Sequence, residues 1–191
     1  PIHACRPMQV SRRRRNSRVT PMPALSNVLS RRRIRLRSPL CAADPARIEA
    51  LVRAAGVFNA AEIAIARELV VETLARGEDA AGYHFLIADQ GDAVAGYACY
   101  GPIPATENRF ELYWIAVSPA ARRGGLGQQL MAAAEMGARA KGATHLFAEA
   151  SDRADSQPVH AFYRACGYTL HARVPDYHTD GDGLAIFGKR L

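Results

Sequence analysis

Three segments in the middle of the chain have the pattern of β-strands. Residues 83–89 and 93–100 are rich in apolar, β-branched and aromatic residues, and Gln90-Gly91-Asp92 between them is typical of a hairpin turn. Residues 109–117 have the same character. The pattern therefore predicts three consecutive strands.

After Ser118-Pro119 the spacing of apolar residues changes to that of a helix. Between residues 126 and 140 apolar side chains recur every three or four positions, which predicts a helix with one face against the sheet. A further strand at 144–150 would complete a parallel, right-handed strand–helix–strand unit. The apolar stripe consists of Leu126, Leu130, Ala133, Gly137 and Ala140, and the polar side of Gln128, Glu135 and Arg139.

Capping and turn residues indicate the remaining elements. Asp44-Pro45 fits an N-cap and first helical residue, and Asn59 with Glu62 fits a capping box. The fold class is α/β (α+β), a mixed central sheet of about seven strands flanked by about four helices, in the order β-α-α-β-β-β-α-β-α-β-β. The other strands are expected at 32–37, 168–174 and 184–189, the other helices at 45–55, 60–76 and 157–166, and a loop at 175–183.

The turn before the helix at 126–140 holds the candidate chemistry. Gly124, Gly125 and Gly127 lack the Cβ atoms that would keep a ligand from the backbone, and they allow positive φ. A helix N-terminus offers unpaired N–H groups and a partial positive charge, to which Arg122 and Arg123 add two full charges. The turn predicts a phosphate site, with close helix–sheet packing as the alternative reason for the glycines.

Two common nucleotide-binding motifs do not fit this turn. Gly125-Leu-Gly127-Gln-Gln-Leu lacks the third glycine of a dinucleotide fingerprint, and no Lys-Ser or Lys-Thr follows as a P-loop requires. Arg122-Arg-Gly-Gly125-Leu-Gly127 instead resembles the Gln/Arg-x-x-Gly-x-Gly/Ala pyrophosphate motif of the GNAT superfamily of N-acetyltransferases.

A second segment strengthens this resemblance. Phe162-Tyr163-Arg-Ala-Cys-Gly167-Tyr168 is similar to the family's Phe/Leu-Tyr-x-x-x-Gly-Phe/Tyr segment, and the likeness covers about 33–191. It implies the GNAT fold and an acetyl-CoA-dependent N-acetyltransferase. The acetyl group would pass to a primary amine by direct attack in a ternary complex, without a metal.

The resemblance also implies roles for individual residues. Tyr163 would be the general acid that protonates the departing thiolate, with a half-buried packing tyrosine as the alternative. Glu111 would be the general base, or else a residue paired across the sheet or exposed to solvent, and Glu149 is the reserve base. A strand bulge would free the N–H groups of residues 115–117 for the oxyanion. The cofactor-binding set is Ile115, Ala116, Val117, Arg122, Arg123, Gly124, Gly125, Leu126, Gly127, Gln128, Ser156 (where the family often has Asn) and Phe162.

Charge is distributed unevenly along the 191 residues. Residues 1–43 contain 11 Arg and no Lys, Asp or Glu, whereas residues 44–191 contain 14 Lys and Arg against 18 Asp and Glu. The net charge of +7 therefore comes from the leader, and the rest is mildly acidic. Residues 1–30 are expected to be a disordered Arg-rich leader, and 31–191 a single domain. A nucleic-acid arm, a transit segment and an extension without function are all compatible with the leader.

The four cysteines have no metal-ligand spacing and suggest buried thiols in a cytoplasmic protein. No apolar run is long enough for a membrane span. The expected partner is a small-molecule or peptide amine, with a homodimer left open and no nucleic acid expected on the folded domain. Two alternatives to an enzyme remain: a non-catalytic acyl-CoA sensor or scaffold, and a nucleic-acid-binding protein acting through its Arg-rich leader.

Overall fold

One mixed sheet organises residues 33–191, which are the part of the chain that the computed structural model describes. Its seven strands have the order β1-β2-β3-β4-β5-β7-β6, and all neighbours are antiparallel except β4 and β5, which are parallel. The predicted leader, 1–30, lies outside the described residues. The elements are β1 (Arg35–Arg37), α1 (Asp44–Ala55), α2 (Ala60–Arg76), α3 (Glu78–Ala81), β2 (His84–Gln90), β3 (Ala93–Pro102), β4 (Arg109–Val117), α4 (Leu126–Ala140), β5 (His145–Ser151), α5 (Gln157–Ala165), β6 (Thr169–Thr179) and β7 (Asp182–Arg190).

Helices cover both faces of this sheet. α1 and α2 bury Ile48, Val52 and Val70 against side chains of β2 and β3 such as Phe85 and Tyr97. α4 and α5 pack on the opposite face, where the core contains Leu130, Met131, Leu146, Tyr163 and Phe187. The predicted class is confirmed. Within residues 33–191 every helix is too short or too polar to span a bilayer.

The start of α1 differs from the prediction. Ala43 rather than Asp44 is the N-cap, and Asp44 is fully buried inside the first turn. Its carboxylate accepts the Cys41 N–H (2.8 Å) and pairs with the Arg37 guanidinium (2.6 Å). Arg37 also pairs with Asp89 of β2 (2.6 Å). Asp44 thus joins β1, α1 and β2, a long-range role that a capping pattern does not reveal. The capping box of α2 is present as predicted, with Asn59 and Glu62 bonded reciprocally.

The buried stripe of α4 is wider than the apolar pattern indicated. Glu135, predicted on the polar side, is buried, and both of its oxygens lie 2.8 Å from the Lys189 ammonium of β7. Ala140, predicted in the stripe, is exposed. Gly137 does face the core, and a Cβ there would lie 2.0 Å from the Tyr100 hydroxyl. A charged residue enters this core because a partner on a distant strand neutralises it.

Two further features differ from the prediction. The stretch 175–183 is not a loop, because β6 continues to Thr179 and β7 begins at Asp182. Pro175 is tolerated there because β6 is an edge strand and its register with β7 is interrupted between Val174 and Thr179, so the missing N–H breaks no ladder. The four-residue α3 makes five α-helices instead of about four. It is too short for any hydrophobic period.

Candidate active site

A gap opens in the middle of the sheet where β4 and β5 part. The two strands pair only from Arg109 opposite His145 to Leu112 opposite Ala148. Beyond this point β5 pairs with β7 alone, through Ser151, while β4 continues along β3 to Val117. Inside a sheet otherwise paired, one edge of β4 and one of β5 are therefore left without a neighbouring strand.

A bulge in β4 accompanies this parting. Cys99 of β3 lies opposite Trp114 and Tyr100 lies opposite Leu112, so Tyr113 has no partner in β3. The bulge was predicted at residues 115–117 and is two residues earlier. Because of the extra residue, Tyr113 and Trp114 both pack on the α1–α2 side, while Ile115 and Val117 pack on the α4 side.

The direction of the backbone N–H groups follows from one hydrogen bond. The Ser118 N–H, directly after β4, donates to the Ala95 carbonyl of β3 (2.8 Å). Alternate residues of a strand direct their N–H and C=O groups to opposite sides. Ala116 therefore faces β3, and Ile115 and Val117 face the gap. Two of the three predicted N–H donors lie where an oxyanion could reach them.

The glycine-rich turn at the start of α4 leaves its backbone donors free. The N–H groups of residues 123–128 have no acceptor among the described residues, and the first helical bond runs from the Gln129 N–H to the Gly125 carbonyl (3.0 Å). Arg123 and Gly125 have positive φ (60° and 78°). This backbone turn concentrates unpaired donors at the positive end of a 15-residue helix, as anion binding requires.

The two arginines of the turn differ in their contacts. The Arg122 guanidinium donates to the Ala55 carbonyl at the end of α1 (2.7 Å) and to the Val117 carbonyl at the gap (3.4 Å). Arg123 is exposed. Arg122 therefore fixes the turn against α1 and β4, and Arg123 offers the freer charge to a phosphate.

The other predicted cofactor residues divide between surface and core. A Cβ on Gly127 would lie 3.1 Å from the Phe162 ring of α5, so this glycine serves the close packing that was the alternative explanation. Gly124 and Gln128 are exposed, and Ser156 is a half-buried N-cap of α5 without a side-chain capping bond. Leu126 and Ala116 have buried side chains, so they can offer a ligand only backbone.

Tyr163 lies on α5 within an aromatic cluster. Its ring centroid is 5.3 Å from that of Phe187 and 6.0 Å from that of Tyr168. Burial, followed by the charges of Cys166 and Glu111, raises the pKa of the phenol well above its usual 10. The hydroxyl therefore keeps its proton through the neutral range.

Glu111 lies on the α1–α2 side of β4, one residue before the last pair with β5. It is half-buried and forms no ion pair with any residue between 33 and 191. Burial, followed by repulsion from the exposed Glu149 of β5, raises its pKa to about 7. A carboxyl with this pKa can exchange protons at neutral pH, as a general base must. The alternative role, an ion pair across the sheet, has no support, because Glu111 has no such partner among the described residues.

Aromatic residues adjoin Glu111 on the same side. Phe58, in the turn between α1 and α2, packs on Trp114 with centroids 5.2 Å apart, and Tyr83 meets Tyr113 at 5.3 Å. The sequence pattern did not place Trp114 beside Glu111, because regular alternation along β4 puts these two residues on opposite faces of the sheet. Across residues 33–191, no group of three or more His, Cys, Asp or Glu side chains could hold a metal ion.

Comparison with known proteins agrees with this geometry. The model of the acetyltransferase (GNAT) family matches residues 57–168, and no curated protein matches. A GNAT-family protein from Desulfovibrio desulfuricans is 37% identical, with a TM-score of 0.80 over 83% of this chain and 99% of that chain.

Two more distant structures share the fold. The ribosomal-protein-S18-alanine N-acetyltransferase of Escherichia coli is 20% identical, with a TM-score of 0.65 over 83% of this chain and 94% of that chain. A Salmonella typhimurium protein solved with acetyl-CoA is 19% identical, with a TM-score of 0.65 over the same shares of the two chains. Because the family match covers more than half of the sequence, the chain belongs to the GNAT family of acetyltransferases.

Proposed function

We propose that this protein transfers the acetyl group of acetyl-CoA to a primary amine, by direct attack of the amine on the thioester in a ternary complex. The observation that carries the proposal is the position of the sheet gap, which opens directly before the free N–H groups of residues 123–128. The turn would bind the pyrophosphate, and the gap would hold the pantetheine arm between β4 and β5. The Salmonella structure with acetyl-CoA supports the choice of cofactor.

Proton transfers at the site can be assigned to residues on both sides of the sheet. The Glu111 carboxylate takes a proton from the acceptor ammonium, which frees the nitrogen lone pair to attack the thioester carbon. The N–H groups of Ile115 and Val117 donate to the carbonyl oxygen as negative charge develops on it. When the carbon–sulfur bond breaks, Tyr163 gives its phenolic proton to the thiolate.

The protons balance in this scheme. The ammonium loses two protons, of which one leaves through Glu111 to solvent and the other replaces the proton that Tyr163 donated. One proton is released in each turnover. No side chain needs to carry the acetyl group, so Cys99 and Cys166 have no covalent role. Holding both substrates in line supplies a large part of the rate.

The proposal is tested by measuring thiol release from acetyl-CoA against a panel of small amines and peptides, with intact-mass detection of the product. The mass of one amine should increase by one acetyl group. Release of CoA without an acetylated amine would contradict the proposed transfer. The E. coli enzyme acts on an alanine of a ribosomal protein according to its name, which is a reason to include peptides.

Changing Glu111 to Gln should remove the inflection of kcat/KM near pH 7, because the amine must then lose its proton to solvent and the pH dependence follows the higher pKa of the amine. In the wild type kcat/KM is expected to rise with pH through about 7, because the base acts as a carboxylate and its pKa is about 7. Glu111→Gln should lower kcat/KM at pH 8 about 100-fold and remove this limb, a loss at the lower end of the range for a general base. The measurement is kcat/KM from pH 5.5 to 9.5 with one amine.

Glu149→Gln is the matched control, since it removes a neighbouring carboxylate of the same size. Without its repulsion the pKa of Glu111 falls, so the limb should move to lower pH rather than vanish. The opposite pattern, with the limb lost in Glu149→Gln and kept in Glu111→Gln, would assign the base to Glu149.

Loss of fold is checked by measuring the melting temperature of each variant at pH 8. A carboxyl whose folded pKa is raised costs stability above that pKa, so Glu111→Gln should melt at a higher temperature.

A further inference from the structure

His160 is a buried titratable residue that the proposed chemistry does not use. It lies on α5, is completely inaccessible to solvent, and its Nε2 is 2.9 Å from the Ser151 carbonyl oxygen. A backbone carbonyl only accepts, so Nε2 carries the proton and donates it. The other ring nitrogen, Nδ1, faces the core without a hydrogen-bond partner among the described residues.

The carbonyl that His160 binds belongs to the far side of the sheet gap. Ser151 is the last residue of β5, in the part of that strand that pairs with β7 but no longer with β4. Within the described chain, His160 makes the one hydrogen bond that joins an α5 side chain to the sheet. Ser156 does not cap the helix with its side chain. Among the hydrogen bonds of the described residues, the one from His160 therefore ties the first turn of α5 to the sheet.

Tyr163 lies one helical turn after His160, on the same buried side of α5. Both rings pack on Phe187 of β7, with centroid distances of 5.1 Å for His160 and 5.3 Å for Tyr163. A rotation or shift of the first turn therefore displaces the phenol relative to the gap. Displacements of about 1 Å can reduce rates about 100-fold when a proton donor must reach its target.

We propose that His160 is a positioning residue for Tyr163: by donating from Nε2 to the Ser151 carbonyl, it holds α5 where the Tyr163 hydroxyl reaches the gap between β4 and β5. This inference rests on the proposed function, in which Tyr163 protonates the thiolate. His160 itself contacts no substrate in this arrangement and exchanges no proton. Its contribution is the geometry of the donor.

Two substitutions separate the hydrogen bond from the volume of the ring. His160→Leu replaces the ring by an apolar side chain of similar size that has no hydrogen-bond donor. His160→Gln retains an N–H group at the end of the side chain. Val159→Ala, on the exposed side of the same turn, is the control. His160→Leu should lower kcat about 10-fold with KM for acetyl-CoA within about twofold, because the turn at residues 123–128 is unchanged. His160→Gln should recover most of kcat, and Val159→Ala should retain all of it.

A double-mutant cycle then tests whether the effect passes through Tyr163. In a Tyr163→Phe background there is no phenol to position, so adding His160→Leu should reduce kcat less than twofold, a non-additivity typical of coupled residues. A merely structural histidine would reduce kcat by the same factor in both backgrounds. Equal factors would therefore overturn the proposal, as would a His160→Gln variant no better than His160→Leu. If the wild-type protein acetylates no amine, the proposed function fails instead.

Discussion

Replacing Tyr163 by Phe is expected to lower kcat about 100-fold while leaving the dissociation constant for acetyl-CoA within about twofold of the wild-type value. The reason is the environment of the phenol. It is buried among aromatic rings, and its pKa lies well above 10, so it is a protonated donor at every pH at which the enzyme would work. The basic thiolate that leaves a thioester is a suitable acceptor for this proton.

The measurement combines steady-state thiol release with calorimetric titration of acetyl-CoA. Tyr168→Phe is the matched control, because it removes a second buried phenol from the same cluster. Tyr168 donates to the Met131 sulfur at 3.2 Å and belongs to the α4 side of the core. Its loss should leave kcat within about twofold, as expected for a weak buried hydrogen bond. Equal turnover for Tyr163→Phe and wild type would show that Tyr163 only packs.

Changing Gly125 to Asp is expected to weaken acetyl-CoA binding about 100-fold, since a carboxylate near a phosphate costs several kcal/mol at the effective dielectric constant of a protein surface. Gly125 has φ of 78°, and no atom lies within 4 Å of a Cβ placed there. Asp tolerates this backbone region better than most residues and is a good N-cap, so the fold should survive. The carboxylate would take the helix N–H groups and repel the pyrophosphate.

Gly125→Asn separates charge from shape. Asn has the size of Asp and tolerates the same φ, but it is neutral. Its dissociation constant for acetyl-CoA should lie within about fivefold of wild type, since a neutral cap competes only for hydrogen bonds. The measurement is calorimetry at two salt concentrations. Similar affinities for the Asp and Asn variants would contradict a pyrophosphate site at this turn.

Local signals were enough to predict the centre of the fold. The apolar strand 109–117, the three glycines after it and the helical period beyond them define β4, the turn and α4 without reference to the rest of the chain. The free N–H groups at residues 125–128 follow from the same signals, because every helix leaves its first donors unpaired.

Features that depend on distant partners were not predictable in this way. Arg122 was counted as a phosphate ligand, yet its guanidinium binds the Ala55 carbonyl, 67 residues away in sequence. Glu135 enters the core only because Lys189 meets it there. His160 resembles an ordinary core histidine until the Ser151 carbonyl is placed beside it. In each case the determining contact joins segments whose proximity exists only after folding.

The bulge in β4 shows a different limit. The resemblance indicated that a bulge exists, but alternation along 109–117 gives no sign that Tyr113 is the extra residue. The side on which Trp114 lies depends on this single position. Residue types therefore suggested which residues belong to the candidate site, whereas the faces on which these residues lie depend on the fold.

The separation of β4 and β5 connects cofactor binding with the stability of the folded protein against local opening. Two strand edges inside the domain lack a neighbour, and regions whose backbone groups are unpaired are those from which local opening starts. A cofactor lying between them would act in place of the missing strand. Binding of acetyl-CoA would then also protect the protein from proteolysis. Protein without bound acyl donor would be the form most readily degraded.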